Sequence, residues 1–360
     1  LDNIIKQDIS TQYLFVYTLK SLIQNPLSSF RRIKRFRKVT ASIAPGIKDM
    51  VVSLLLLNYF ECNKSHFRDI DLIHSHSEIA GYRFLHLAII LNKPLIITFH
   101  GMEPPGVNQL NRSKRKVLYD YSSVVIVNTN FAKKQAVSIG AEAEKVKIIP
   151  QGLPIDEFSY EPAQPPAKGE SLKILTVGRL SKEKGQVYTL LAAKRLQNSD
   201  LNFIWRIIGS GPDSEKLKYL YQKLNLCESL EFTGDIEQSK LKQLYSKSHI
   251  VVLPSIQSDI ETANETQGVV LQEAQASGCL VIATRAGGIP ECVHHEKDAL
   301  LINPGSSRAI YEAVRSYIDH PEIWKTYLEA GLENVKTNFS ADAIGNKMAL
   351  LLCKTARKQE

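Results

Sequence analysis

From residue 71 onward, short runs of β-branched and aliphatic residues alternate with longer stretches whose apolar positions recur every three or four residues. The short runs predict strands at 71–74, 95–99, 124–127 and 146–149, with helices in the intervals. The segment from Pro150 to Glu170, "PQGLPIDEFSYEPAQPPAKGE", then holds five prolines, a density that no packed element tolerates, and predicts a stiff connection. The alternation restarts with strands at 172–177, 203–208, 230–233, 250–253, 280–283 and 299–302. Helices fit at about 184–197, 213–225, 238–247, 268–277, 306–318 and 321–334, and a last helical run, about 341–354, has no strand after it. Alternation of this kind builds parallel, doubly wound sheets. The expected fold is α/β, with two Rossmann-like domains facing a central cleft. The first spans 1–155, the connection 156–170, the second 171–338, and 339–360 forms a C-terminal helix that packs back on the first domain.

Composition adds a class and a compartment. Of the chain, 44% is hydrophobic and 23% charged, the balance of a soluble globular protein. The longest apolar run, "MVVSLLLLNYF" from Met50, is too short to span a bilayer. The five cysteines are scattered without a CxxC pair, which predicts reduced thiols in a cytoplasm. The net charge of +8 is concentrated in "FRRIKRFRK", Phe30 to Lys38, with six basic residues in nine. A lone run like this is ordinarily a solvated helix face. Beside the apolar stretch it also suits an anionic membrane surface, and hence a peripheral place on the inner face of the plasma membrane. Nucleic acid is a third partner for such a run, with no other feature in its support.

Open α/β sheets bind ligands beyond the carboxyl ends of their strands, so those positions carry the candidate chemistry. After 172–177 comes "GRLSKEKG", where Gly178 permits a tight turn and Arg179 and Lys184 supply two cations suited to a diphosphate. After 203–208, "GSGPDSEKL" sets Gly209 and Gly211 where backbone can approach a ligand, and Asp213 or Ser214 where either can cap a helix. The spacing is not the dinucleotide fingerprint. After 250–253 a polar loop leads to "ETQGVVLQEAQASG", and a helix start near Gly268 offers free N–H groups to a phosphate. Glu265, just ahead of that start, suits a sugar hydroxyl or a developing cation, and Glu273 suits a ribose diol. Taken alone, the two read more simply as a helix cap and a solvated side chain, and the Arg179–Lys184 loop as an ordinary basic surface. "ITFHG" puts His100 directly after a strand, and "IHSHSEIAGY" does the same for His74 and His76, which lack the third ligand of a metal site.

Together "HSHSEIAG", "ITFHG", "IIPQG", "VGRLSKEKG", "IGSGP", "FTGDI" and "ETQGVVLQEAQASGCLVIATRAGGIPE" resemble, in order and strand context, the landmarks of family 4 retaining glycosyltransferases of the GT-B fold. The resemblance implies transfer of a sugar, with retention, from a UDP- or GDP-linked donor to a glycan or lipid-linked acceptor, with no metal or other cofactor. It implies a diphosphate on Arg179 and Lys184 and on the backbone of Gly268 and Val269. It also implies Glu265 and His100 on the donor sugar, and Glu273 on the ribose. The polar loop and the basic stretch resemble more specifically the colanic-acid and exopolysaccharide branch.

The chain departs from the family at several points. Gln151 and Pro154 stand where Asn and Asp are frequent, and Thr266 and Gln267 where Gly-Phe is more usual, a change expected to bear on donor-sugar preference. Residues 1–50 read as helical and basic, without the family's opening strand and glycine-rich turn. The first domain is therefore expected to lack its first βα units, and the chain, which begins at Leu1, to be N-terminally incomplete. The readings from other classes are a catalytically inactive sugar-nucleotide or partner-binding module, and a nucleic-acid binder acting through the basic run.

Overall fold

The structure, a computed structural model, describes residues 11–44, 46–102, 110–199, 201–257, 259 and 262–357. It opens with three helices, α1 (Thr11–Gln24), α2 (Pro26–Ile43) and α3 (Ile47–Cys62). Pro26 sits in the first turn of α2, where its missing N–H costs no helical bond. Leu55, Leu56, Tyr59 and Phe60 of α3 join Tyr82, Leu85 and Leu95 in one apolar core. Polar ties bind the three helices: Asn63 Nδ2 donates to Tyr17 Oη at 3.0 Å, and Arg32 Nε to Asn58 Oδ1 at 3.2 Å. Arg32 is thus turned inward, and Arg35 pairs with Glu61 at 2.9 Å, so the basic run is not a uniformly solvated face.

The first sheet follows: β1 (Ile73–Ser75), α4 (Glu78–Leu91), β2 (Leu95–Phe99), α5 (Arg112–Tyr121), β3 (Val124–Val127), α6 (Asn130–Ser138) and β4 (Val146–Ile148). All four strands are parallel, in the order β1-β2-β3-β4, with Ile96 opposite Val124. β2 and β3 are buried along their whole length, which is why they read as unbroken apolar runs.

The second domain runs β5 (Leu172–Val177), α7 (Gln186–Gln197), β6 (Phe203–Ile208), α8 (Ser214–Lys223), β7 (Leu230–Gly234), α9 (Gln238–Ser246), β8 (Ile250–Leu253), α10 (Val269–Ser277), β9 (Leu280–Thr284), β10 (Leu300–Ile302), α11 (Ser307–Asp319) and α12 (Trp324–Asn338). Its six strands lie in the order β10-β9-β8-β5-β6-β7. The chain starts at the centre, winds outward through β7, then returns to β8 and winds the other way. The order reverses between β5 and β8, which is where a doubly wound sheet opens a crevice.

The chain passes between the domains twice, and the two passages lie side by side. Leu153 N donates to Phe339 O at 2.7 Å, and Ala341 N to Leu153 O at 2.8 Å. Beyond the second passage, α13 (Ala341–Arg357) lays Ile344 on Ile96, Val124, Ile126 and Ile149 of the first domain, with Met348 and Leu351 alongside. The proline-rich segment is not a free span. Glu161 N donates to Ser277 O at 3.2 Å, Ala163 N to Gly278 O at 2.8 Å, and Phe158 is buried in the second core. Proline lacks only its own N–H, so its neighbours can still stitch an extended strap to a helix end.

Candidate active site

Loops from both sides of the strand-order reversal meet at the crevice. The loop after β5 is fixed by the loop after β6: Gly178 N donates to Ile208 O at 3.0 Å and Leu180 N to Ser210 O at 2.8 Å. A Cβ on Gly209 would lie 2.1 Å from Gly178 O, and one on Gly211 2.3 Å from Leu180 O. What these glycines let approach is the Arg179 loop, whereas the sequence assigned them to a ligand. Asp213 makes no capping bond; Ser214 Oγ instead bonds the backbone of Gly211. Arg179 is held by its carbonyl, which accepts from Gln186 Nε2 at 2.8 Å. Its exposed guanidinium has no partner among the described residues.

Lys184 ends a short turn closed by Gly185, in the left-handed region at φ 70°, against the backbone of Pro254 after β8. Lys184 Nζ donates to Glu265 Oε2 at 2.5 Å. The other oxygen, Oε1, accepts from Gly268 N at 3.2 Å, and Ser255 Oγ stands 3.5 Å from Oε2. Gly268 is the left-handed N-cap of α10, φ 78°. The Glu265 carboxylate, only 13% exposed, therefore engages an ammonium and a helix-start N–H, groups that are donors to anions. Glu273, further along α10, has its partners on α9: Tyr245 Oη donates to its Oε2 at 2.8 Å. Burial lifts the Glu273 carboxyl above the usual range, against the opposing pull of the Tyr245 and Gln238 hydrogen bonds and of Lys242.

The first domain supplies the opposite wall. His100 is exposed at the end of β2, and its ring stacks on His76 with centroids 5.7 Å apart. His74 donates to or accepts from Thr98 Oγ1 at 2.8 Å, and burial, then the neighbouring His76 and His100, lower its pKa to about 4. Thr266 Oγ1 donates to His100 O at 3.1 Å, and Thr129 Oγ1 donates to Thr266 O at 2.8 Å. The Gln267 amide pairs with both the N–H and the carbonyl of Gln151, at 2.7 and 2.9 Å. The two residues that differ from the family's usual pair thus commit their polar groups to the first domain.

The landmark that ends "ATRAGGIPE" also holds three residues to which the sequence gave no separate role, Gly287, Gly288 and Glu291. Gly288 N donates to Glu265 O at 2.8 Å, and a Cβ on Gly287 would lie 1.9 Å from that same oxygen. Glu291 then reaches across the cleft, accepting from Asn130 N and Phe131 N at 2.7 Å each and so capping α6. Their signal is "RAGG", which follows β9 directly, at a strand end like those of the other candidates. Among the described residues, no three His, Cys, Asp or Glu are grouped to hold a metal ion.

Two parallel-sheet α/β domains facing across a crevice, with cationic and helix-start groups on one wall and a histidine on the other, define the GT-B class. Residues 22–157 match glycosyltransferase family 4, and residues 158–332 match the glycosyl transferases of group 1, so the chain is built of two glycosyltransferase domains. It is 26% identical over 278 residues to an Escherichia coli K12 protein named as a colanic acid biosynthesis glycosyltransferase, covering 76% of this chain and 67% of that one. It is 25% identical over 261 residues to the amylovoran biosynthesis glycosyltransferase of Erwinia amylovora, covering 71% of this chain and 63% of that one. The chain thus spans 63% to 67% of the length of these curated relatives. Among solved structures, HepE of Anabaena in complex with UDP superposes with a TM-score of 0.71 at 22% identity, over 84% of each chain. A sucrose-phosphate synthase of Thermosynechococcus elongatus gives 0.69 at 22% identity, over 84% of this chain and 78% of that one.

Proposed function

We propose that the chain is a retaining glycosyltransferase of exopolysaccharide biosynthesis, moving a sugar from a UDP- or GDP-linked donor to a glycan or lipid-linked acceptor. The observation that carries this reading is the convergence at the strand-order reversal of the Arg179 loop, Lys184, the start of α10 and Glu265. The HepE structures that contain UDP and UDP-glucose support a nucleotide-sugar donor.

In this reading Arg179 grips the diphosphate through its planar fork, and the N–H groups at Gly268 and Val269 take the phosphate at the helix start. As the phosphate arrives it takes over Lys184, and Glu265 turns from that cation to the sugar. Positive charge develops at the anomeric carbon while the diphosphate leaves; the Glu265 carboxylate steadies that carbon, and the cations and helix start steady the leaving group. His100 closes on the sugar from the other wall, and Glu273 accepts from the ribose hydroxyls. No metal or other cofactor enters the scheme.

Calorimetry with UDP, GDP and their sugars is the direct test. One of the nucleotides should bind, and Arg179→Ala should weaken it by about 1–3 kcal/mol, the scale of a charge-assisted hydrogen bond. Affinity that ignores Arg179 would remove the diphosphate from this loop.

We further propose a cytoplasmic protein held on an anionic membrane face. The support is that Ile23 of α1, Leu27 of α2, and Ile47 and Val51 of α3 are exposed, as are Arg31 and Lys34 of α2. None of the described helices is long and apolar enough to cross a membrane.

A further inference from the structure

We propose that Thr266 is a positioning residue that sets His100 against Glu265 across the cleft; the inference rests on the glycosyltransferase reading above. Thr266 is only 7% exposed, and each of its groups faces the first domain. Its hydroxyl donates to the carbonyl of His100 at 3.1 Å, and the Asn128 amide lies 3.5 Å from the same hydroxyl. Its carbonyl accepts from Thr129 Oγ1 at 2.8 Å. Its methyl fills the space beside Gly101, where a Cβ would come within 2.6 Å of it, at a backbone φ of 109°. A β-branched side chain has few χ1 choices, so hydroxyl and methyl are fixed together, one on His100 and the other on Gly101.

Thr266 is also bonded covalently to Glu265, whose own carbonyl is held by Gly288 N at 2.8 Å. One path from Glu265 to the backbone of His100 therefore runs through the Thr266 side chain. Gln267, 1% exposed, pins the other flank to Gln151. Two groups that must act on one sugar from opposite walls depend on sub-ångström placement, and a misplacement of this size costs rate rather than binding. The role is distinct from packing because it acts through the hydroxyl that donates to the His100 carbonyl.

The test uses the whole chain with the nucleotide sugar it turns over best. Thr266→Val keeps the shape and removes the donor; Thr266→Ser keeps the donor and removes the methyl. Thr266→Val should lower kcat by roughly ten-fold, the effect of one lost hydrogen bond in the transition state, while nucleoside diphosphate affinity stays unchanged. Thr266→Ser should retain most of the rate. In a His100→Ala background, Thr266→Val should cost nothing further, because the residue acts through that histidine. A Val penalty that persists without His100 overturns the inference, as does an equal loss in the Ser variant or a parallel loss of diphosphate affinity. Turnover by the wild type with Thr266→Val unaffected overturns this inference alone. Absence of turnover with every UDP and GDP sugar overturns the glycosyl-transfer reading and this inference with it.

Discussion

At the scale of residues, strand ends offered the candidates and concealed their pairings. Arg179 and His100 were legible as candidates because each stands just beyond a strand, where the parallel-sheet rule says to look, and Glu265 because it stands just ahead of a helix start. The bond from Lys184 to Glu265 was not legible, since the partners are 81 positions apart and only the strand order brings them together. The same holds for Tyr245 and Glu273, joined by the packing of α9 on α10. That pair has a pH signature. Burial lets the folded chain hold the Glu273 proton more tightly than the unfolded chain does, so stability declines as pH climbs from the ordinary carboxylate range through the raised value. Tyr245→Phe removes a hydrogen bond that favours the carboxylate, which lifts that value further. The variant should lose about 1–3 kcal/mol of stability near neutral pH. On the proposed ribose role, nucleoside diphosphate affinity should also fall at a higher pH than in the wild type, because a protonated Glu273 would no longer accept both ribose hydroxyls. Superimposable affinity–pH profiles would take Glu273 away from the ribose.

At the scale of elements, the apolar pattern located the strands closely; β2, β3, β5, β6 and β8 lie where periodicity placed them. Of these, β2, β3 and β8 are buried along their whole length and carry no ambiguity of side. The strap from Pro150 was harder, because proline count reports what a segment cannot form and not where its remaining N–H groups go. Cap partners across domains are equally hidden. Thr129 caps α6 locally through Ala132 N, but the N–H groups of Asn130 and Phe131 find Glu291 on the other domain. Glu291→Ala should therefore cost about 1 kcal/mol, the usual worth of an N-cap. Amide exchange at Asn130 and Phe131 should quicken, while the core of β9 stays protected. Unchanged exchange at those two amides would mean that the contact does not persist in solution.

At the scale of the whole molecule, the two-domain plan was legible from the single interruption of an otherwise regular alternation. The front of the chain was legible only as helical and basic. Its packing turns one of those cations inward and leaves others, with four large apolar side chains, on the surface. Each exposed basic residue near an anionic membrane contributes about 1 kcal/mol, so Arg31→Glu with Lys34→Glu should release the protein from anionic vesicles at low salt. Equal partitioning of the unaltered chain to neutral and anionic vesicles would exclude that surface as an anchor.

The helix that closes the first domain comes from the far end of the chain. Ile344 covers Ile96, Val124 and Ile126, residues made long before it. During synthesis the early sheet must wait, one face bare, while the entire second domain emerges and folds. The domain begun first is completed last, and a ribosome that stalls within α13 leaves behind a folded second domain joined to a sticky, unfinished first one.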